Sequence, residues 1–478
     1  MSRVLVLFTR DLRLADQAAL AEAARYGKIV PVCVIDDEFR RRYAGSPRRA
    51  AYVCAALGAL DVSLRERGTR LVVRRGPLAA ALLGLARATG AATVLWSHAY
   101  DRAGATTLGA LQADLEEANL RAYGVHDAPA VAPEETAAAR SSDDGAGYRA
   151  LAPYLAAWRT LPRSPLRVPL VFAELDAELR TEALPTAREL AGADAATPAG
   201  AGESVARRSF AHYLAGAALQ YNVASRVPAG EPTARLSAPL SFGVISARTV
   251  LAMIDERLAE PFLLAEERVA LRSLQTSLAE RDFFLQLAHF FERRPDEPLR
   301  ATARERAFDS GHPLLPDWLE GRTGYPLVDA GMRQLHATGW MHPHVRRVAA
   351  SFLCFDLGVD WRVGRDAWER HLEEDDLALA NGNWQWSAGV GADLAAVPRI
   401  FNPRKQLRRF DPAATYVRRY LPEFAQIPPN EIFGDASAVR TQLALPLFGA
   451  RAYPSPVVEH ERVARAFLAR YASVAAGR

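Results

Sequence analysis

Cysteine is scarce. Cys33, Cys54 and Cys354 are the only three in 478 residues, too few and too scattered for a disulfide framework or a cysteine-rich zinc site. Lysine is rarer still: Lys28 and Lys405 are the only two, so nearly all of the positive charge is arginine. Alanine is abundant as well, and compositional bias accounts for the arginine total better than a binding role does. Against 55 acidic residues the 59 basic ones leave a net charge of +4. That mild excess is compatible with nucleic acid without arguing for it. No apolar run approaches the roughly 18 residues of a membrane span. The first residues, MSRVLVLFTRDLRL, set arginines inside a short apolar stretch and read as a strand, not a signal peptide. A cytoplasmic protein without membrane contact is expected. Neither G-x-G-x-x-G nor G-x-x-x-x-G-K-[ST] follows any predicted strand, so a dinucleotide held in the Rossmann manner is not supported. No internal repeat is present.

What is there is half hydrophobic and a quarter charged, enough to bury a large core, and long enough for two or three domains. Residues 1–130 alternate strand and helix signals. Val4–Phe8, Ile29–Ile35, Arg70–Val73 and Thr93–Trp96 read as buried strands, and Gln17–Tyr26, Arg48–Arg67 and Thr106–Asn119 as helices. The pattern predicts an open parallel sheet covered by helices, an α/β Rossmann-like domain. Residues 131–203, rich in Pro, Ala, Gly and Asp, predict a linker with short helices. Residues 204–478 carry helical spacing at Ala247–Ala259, Glu266–Phe291, Asp329–Thr338 and His344–Asp356, and predict a large all-α domain able to hold a cofactor between helices.

Five stretches of that helical part are dense in functional side chains. Each has a bland account alone. Thr233 and Ser237 flank a helix start and suit either a phosphate or an ordinary cap. The run Glu373–Glu374–Asp375–Asp376 lacks metal-ligand spacing with a histidine and reads as a solvated helix face. His342 and His344 flank Pro343 without a third zinc ligand in view. Trp340, Trp361, Trp368, Trp384 and Trp386 read as core.

Taken together, TARLS, EGRTGYPLVDAGMRQL, TGWMH, DWRVG and NGNWQW resemble, in order and spacing, the FAD domain of the photolyase/cryptochrome family, and of its class I cyclobutane pyrimidine dimer photolyases in particular. The likeness extends to VLVLFTRDLRLADQAAL at the first strand and helix, DGAGYRALAPYLAAWR at the connector and YPSPVVEHERVARAFL at the C-terminal helix. It implies an antenna-type α/β domain, a linker and a helical domain holding FAD. Residue by residue, it implies Tyr221, Thr233, Arg235, Leu236 and Ser237 near the FAD phosphates, with Arg281 in the same site. It implies Arg346 against the isoalloxazine, paired with Glu374 where the family has Asp, and Asp376 and Asn381 beside the flavin or its ribose. Trp384 and Trp361 match the first two members of the family's electron-transfer chain. A guanidinium near the ring favours an anionic reduced flavin. An antenna pigment, folate or deazaflavin, is compatible with Phe8, Arg10, Asp36 and Asp37 at strand ends, where open α/β sheets hold ligands; loop capping accounts for those residues equally well.

Departures from the family pattern cluster at one place. In repair members a dimerised pyrimidine is flipped out of the duplex into a pocket over the flavin. The resemblance places the family's pocket Glu at Ser277 and its pocket Trp at Glu280, removing a carboxyl and a stacking face. Pro343, His344 and Arg347 replace Asn, Arg and Met of M-H-N-R-x-R-M. Ala380 replaces the Asn facing flavin N5, and Trp386 lies in the same altered pocket. The distal tryptophan of the electron chain falls at Phe308. Glu280 and Arg347, with opposite charges, are expected to pair, leaving a smaller polar cavity suited to water or a small polar ligand. The expected function is therefore a blue-light-absorbing or redox-active flavoprotein without ordinary dimer repair, a photosensor or an oxidoreductase on a small molecule. Two alternatives remain. One is a working DNA photolyase with an unusual site, its Arg281, Arg399, Arg404 and Arg408 meeting phosphates, contacts that carry no base information. The other is a scaffold without flavin, against which Thr233, Ser237, Arg346 and Glu374 argue.

Overall fold

The computed structural model describes residues 2–140, 146–196, 198, 201–230, 233–291, 297–299, 308–392, 399–433 and 453–476. Parts of the expected linker and Pro232, just before TARLS, lie outside the described residues.

Five runs rich in β-branched and apolar residues form one sheet: β1 (Arg3–Leu7), β2 (Lys28–Ile35), β3 (Val72–Arg75), β4 (Ala91–Ser97) and β5 (Arg121–Val125). All pairings are parallel, in the order β3-β2-β1-β4-β5. Strands buried on both faces need continuous apolar runs, and β1, β2 and β4 have them. β3 lies two residues later than its sequence signal. β5, RAYGV, has no clean strand signal because it is a half-exposed edge strand containing Arg and Gly. Helices Pro47–Arg65 and Arg102–Glu117 stand where helical spacing predicted them, and Leu78–Thr89, an alanine- and leucine-rich run, adds another. The chain order reverses between β1 and β4, the place where sheets of this kind open a ligand crevice at the carboxyl ends of their strands.

The chain divides into two compact units that interleave in sequence. One comprises residues 1–219, 234–295 and 373–379, and the other 220–233, 296–372 and 380–478. In the first, helix Ala247–Leu258 is tied to the sheet-bearing layer by buried charge. Arg248 Nε donates to Asp16 at 2.9 Å and its Nη2 to Asp127 at 3.1 Å, and Arg13 binds the same Asp127 at 2.7 Å. Ion pairs this deep persist only when hydrogen bonds satisfy the remaining polar atoms, and here they form a closed network. Helix Ala265–Phe291 belongs to the same unit.

The second unit is helical. Helices Pro326–Thr338, Pro343–Ser351 and Trp361–Glu369 surround a core of Trp318, Tyr325, Phe352, Phe355, Trp361 and Trp384. Residues Phe352–Asp356 form a π-helical turn, closed by Leu357 N–H donating to Phe352 O at 3.1 Å. Such turns are rare and often mark functional sites. Its last residue, Asp356, pairs with His460 at 2.5 Å and so ties down the C-terminal helix His460–Ala476. Among the described residues no helix is long and apolar enough to cross a membrane.

Candidate functional site

The sheet-bearing unit holds the positions of the expected substrate face. Helix Ala265–Phe291 carries Ser277, Glu280 and Arg281. Residues three apart share a helix face, so Ser277 and Glu280 are neighbours. The Ser277 hydroxyl donates back to Leu274 O at 2.7 Å, engaged by its own helix. Glu280 is half-buried. Arg281 is buried; it donates to Ala128 O at 2.8 Å and lies 3.8 Å from Asp376. Burial pushes the Asp376 carboxyl above its ordinary range while Arg281 and Arg10 pull it down. It also caps helix Leu377–Ala388 by accepting from Leu379 N–H at 3.2 Å.

The acidic run corrects the sequence expectation of a solvated helix face. Residues 373–376 are not helical, and Glu374 and Asp375 are buried. Asp375 accepts from Arg42 and lies 3.7 Å from Arg49, partners more than 300 residues away in sequence. Glu373 is half-buried, and burial with the adjacent Glu374 pushes its carboxyl up to about 7.

At the carboxyl ends of β1, β2 and β4 the same unit opens a cavity lined by Phe8, Arg10, Asp36, Phe39, Tyr100 and Asp101, among others, with Arg281 and Asp376 on its wall. Asp36 also caps helix Asp37–Tyr43, accepting from Phe39 N–H at 2.7 Å, so lining and capping hold together for it. Asp37 faces solvent and does not line the cavity. Arg10 is bound to Asp101 at 2.5 Å. Beside the cavity, Glu134 accepts from His126 and His289, each at 2.8 Å, and Tyr100 bonds the other ring nitrogen of His126. This cluster joins distant parts of the chain and has no sequence motif. Among the described residues no group of three His, Cys, Asp or Glu is arranged to hold a metal ion.

The segment expected at the FAD phosphates begins with Thr233, whose Oγ1 is shielded from solvent and has no hydrogen-bond partner among the described residues. Arg235 holds a φ of +47°, a left-handed backbone uncommon for a residue with a Cβ. Helix Ser237–Ser241 comes next. Its N-cap, Leu236, offers no side-chain bond to the first turn, and Ser237 is exposed. An ordinary Thr or Ser cap is therefore not what these residues make. A buried hydroxyl without a partner, followed by an uncapped helix start, suits a phosphate-bearing cofactor. Tyr221 is half-buried in the short helix Tyr221–Ala224.

In the helical unit, helix Pro343–Ser351 is capped by His342, whose ring accepts from His344 N–H at 3.2 Å. Pro343 takes the first helical position, where its missing N–H costs nothing. His344 bonds Gln406 at 3.0 Å. Burial pushes His342 down to about 3 and His344 to about 4, so both are neutral at pH 7. Arg346 Nε donates to Met341 O at 2.8 Å, and the Arg347 guanidinium lies 5.7 Å over the Trp386 ring. Ala380 is half-buried; Asn381 is buried and accepts from Arg365 at 2.8 Å. Trp361 is fully buried, with Arg362 and Arg365 over its ring at 4.9 and 5.3 Å. Phe308, at the expected distal position of the electron chain, packs on Phe355 and Phe467. Of the arginines expected at DNA, Arg399 and Arg408 are exposed and Arg404 lies over Tyr325.

Comparison with known proteins supplies the remaining identification. Residues 4–170 match the family model of DNA photolyase, and residues 274–473 match that of the FAD binding domain of DNA photolyase. A deoxyribodipyrimidine photo-lyase of Synechococcus sp. is 31% identical, over 98% of this chain and 96% of its own length. The structure of a bacterial class III photolyase from Agrobacterium tumefaciens is 30% identical, covering 99% of this chain and 98% of its own, with a TM-score of 0.85. An archaeal photolyase from Sulfolobus tokodaii, solved with two FAD molecules and read as implying a novel light-harvesting cofactor, is 25% identical with a TM-score of 0.79, covering 98% of this chain and all of its own. These matches carry the family and not the class I subdivision. The chain belongs to the photolyase/cryptochrome family, with that family's FAD-binding domain in its helical part.

Proposed function

We propose that this protein is a blue-light-absorbing, redox-active flavoprotein that does not perform ordinary pyrimidine-dimer repair. The observation that carries the reading is on helix Ala265–Phe291. The position expected to offer a carboxyl to a flipped pyrimidine is Ser277, whose hydroxyl is spent on Leu274 O, and one turn on Glu280 stands where a stacking ring is expected. Losing a stacking face costs roughly 1–3 kcal/mol per base, and a carboxylate in its place adds repulsion toward the DNA backbone. By family likeness Pro343, His344, Arg347, Ala380 and Trp386 are further altered substrate positions, and together these changes favour a small polar ligand over a stacked dimer.

FAD, when bound, supplies light absorption and one-electron chemistry. The chain's own part is to hold and tune it. Thr233 and the start of helix Ser237–Ser241 offer donors to the phosphates, with Tyr221, Arg235 and Leu236 alongside. Arg346, Glu374, Arg281, Asp376 and Asn381 are further cofactor positions by family likeness, Arg346 as the positive group near the ring. Trp384 is the electron donor next to the flavin by family likeness, and Trp361 stands at the position of the family's second chain member. The cavity at the strand ends is the candidate seat of a second, light-harvesting pigment.

A second reading, a working photolyase, is favoured by the relatives, which carry that name at 31% identity and comparable length. DNA is then a substrate; in the first reading it is at most a weak partner held by phosphate contacts. Reduced protein mixed with dimer-containing oligonucleotide under blue light separates the two. Intact pyrimidines recovered with high yield would refute the first.

A further inference from the structure

We propose that the electron reaching the light-excited flavin through Trp384 is replaced from Trp368 and then Trp318, and not from Trp361. The inference rests on the flavoprotein reading and on Trp384 as the donor next to the flavin. The donors behind Trp384 are set by the packing of the helical unit. The Trp368 ring lies 4.4 Å from that of Trp384, at 55°, and Trp318 lies 6.0 Å from Trp368, nearly parallel to it at 13°. Trp318 is also 6.5 Å from Trp384, so the three indoles form a closed cluster. The ring contacts of Trp384 among the described residues are these two; Trp361 is not one of them. The close approach is built into the backbone: Gly364 leaves the space, since a Cβ there would come within 2.3 Å of the Trp384 ring.

Charge points the same way. A hole on an indole is a positive charge. Arg362 and Arg365 both lie over the Trp361 ring, and positive groups there raise the energy of that hole. Arg362 is paired with Asp360 and Arg365 with Asp366, each at 2.8 Å, so this is a bias against Trp361 and not a block. Beyond Trp361 the expected third indole is Phe308, a ring much harder to oxidise, packed among Phe355 and Phe467.

The electron balance is simple. One electron leaves Trp384 for the flavin, one moves from Trp368 to Trp384, and one from Trp318 to Trp368. The flavin gains one electron and Trp318 is left short of one. No proton need move. The Trp318 N–H donates at 3.0 Å to the carbonyl of Ala349, which is too weak a base to take it, and the ring is fully buried. The oxidised indole therefore stays a cation.

The test is laser-flash absorption spectroscopy of oxidised, flavin-loaded protein, reading the oxidised tryptophan directly. Trp368→Phe is expected to lower the yield of separated charge by about tenfold, and Trp361→Phe by less than about twofold. Trp368 is a core residue, so Trp318→Phe and Phe308→Trp serve beside it. The first should shorten the life of the separated state, and the second should change the yield by less than about twofold. A large loss in Trp361→Phe, a large gain in Phe308→Trp, or no loss in Trp368→Phe would each overturn the proposal. Protein that purifies without flavin would instead refute the flavoprotein reading, and this route with it.

Discussion

The carboxylate of Asp375 and the guanidinium of Arg42 form an ion pair across 333 residues of sequence. Arg49 approaches the same carboxylate at 3.7 Å. Burial opposes the charge on Asp375, but Arg42, Arg49 and Arg10 outweigh it and hold the carboxyl below its ordinary range. Removing one member of a buried pair strands the others, so Asp375→Asn is expected to cost about 3 kcal/mol in chemical denaturation at pH 7. The depressed value sets the sign with pH. The stabilisation is present above the ordinary carboxyl value of 3.8 and is lost as pH falls below it. The gap between wild type and Asp375→Asn should therefore close in acid below about pH 4; a constant gap would contradict the pairing.

Asp329 behaves oppositely. It is fully buried, and burial pushes it up to about 6 although Thr323, Gly324 and Tyr453 all donate to it. A raised carboxyl contributes stability below 3.8 that is lost as pH rises through about 6. Asp329→Asn should flatten part of the fall in stability between those values, and Asp329→Ala should cost about 2–4 kcal/mol by leaving four donors unmet. Denaturation midpoints at pH 4.5 and 7 check both; an unchanged pH slope in Asp329→Asn would count against the assignment.

Thr233 separates cofactor binding from folding. Its hydroxyl makes no bond within the described chain. Thr233→Val should leave the stability of the flavin-free protein unchanged and weaken FAD by about 1 kcal/mol, near fivefold in Kd. Flavin titration by fluorescence reads the affinity. Equal affinity, or a destabilised apoprotein, would place the hydroxyl outside the cofactor site.

Restoring Ser277→Glu, Glu280→Trp and Ala380→Asn together should tighten binding to dimer-containing DNA by roughly 1–3 kcal/mol relative to undamaged DNA, the worth of a recovered stacking face. A gel-shift comparison of damaged and undamaged duplex measures it. Equal tightening on both would mean that the gain is non-specific.

The sequence made much of the fold legible, for physical reasons. Strands β1, β2 and β4 are continuous apolar runs, and the helices at Pro47–Arg65 and Ala265–Phe291 have clear periodicity. Edge strand β5 was hidden by its Arg and Gly, and helix Leu78–Thr89 by alanine, which marks neither face. At the site, the expectations for Thr233, Arg346, Asn381 and Trp384 rest on short motifs, where neighbouring residues carry the pattern. Features that depend on distant partners were not. Glu374–Asp375 looked solvated because Arg42 and Arg49 lie far upstream. The cluster of His126, Glu134 and His289 has no motif. Trp368 read as core, which it is; that it also stacks on Trp318 and packs at a tilt against Trp384 is a property of packing alone.

The most direct test of the central claim is a repair assay. Flavin-loaded, reduced protein is illuminated with blue light in the presence of an oligonucleotide carrying a single cyclobutane dimer, and recovery of intact pyrimidines is followed by chromatography. A repair yield near that of the unilluminated control is predicted, while the flavin still absorbs and cycles. Recovery at the yield of an authentic photolyase run alongside would show that Ser277 and Glu280 had not ended repair.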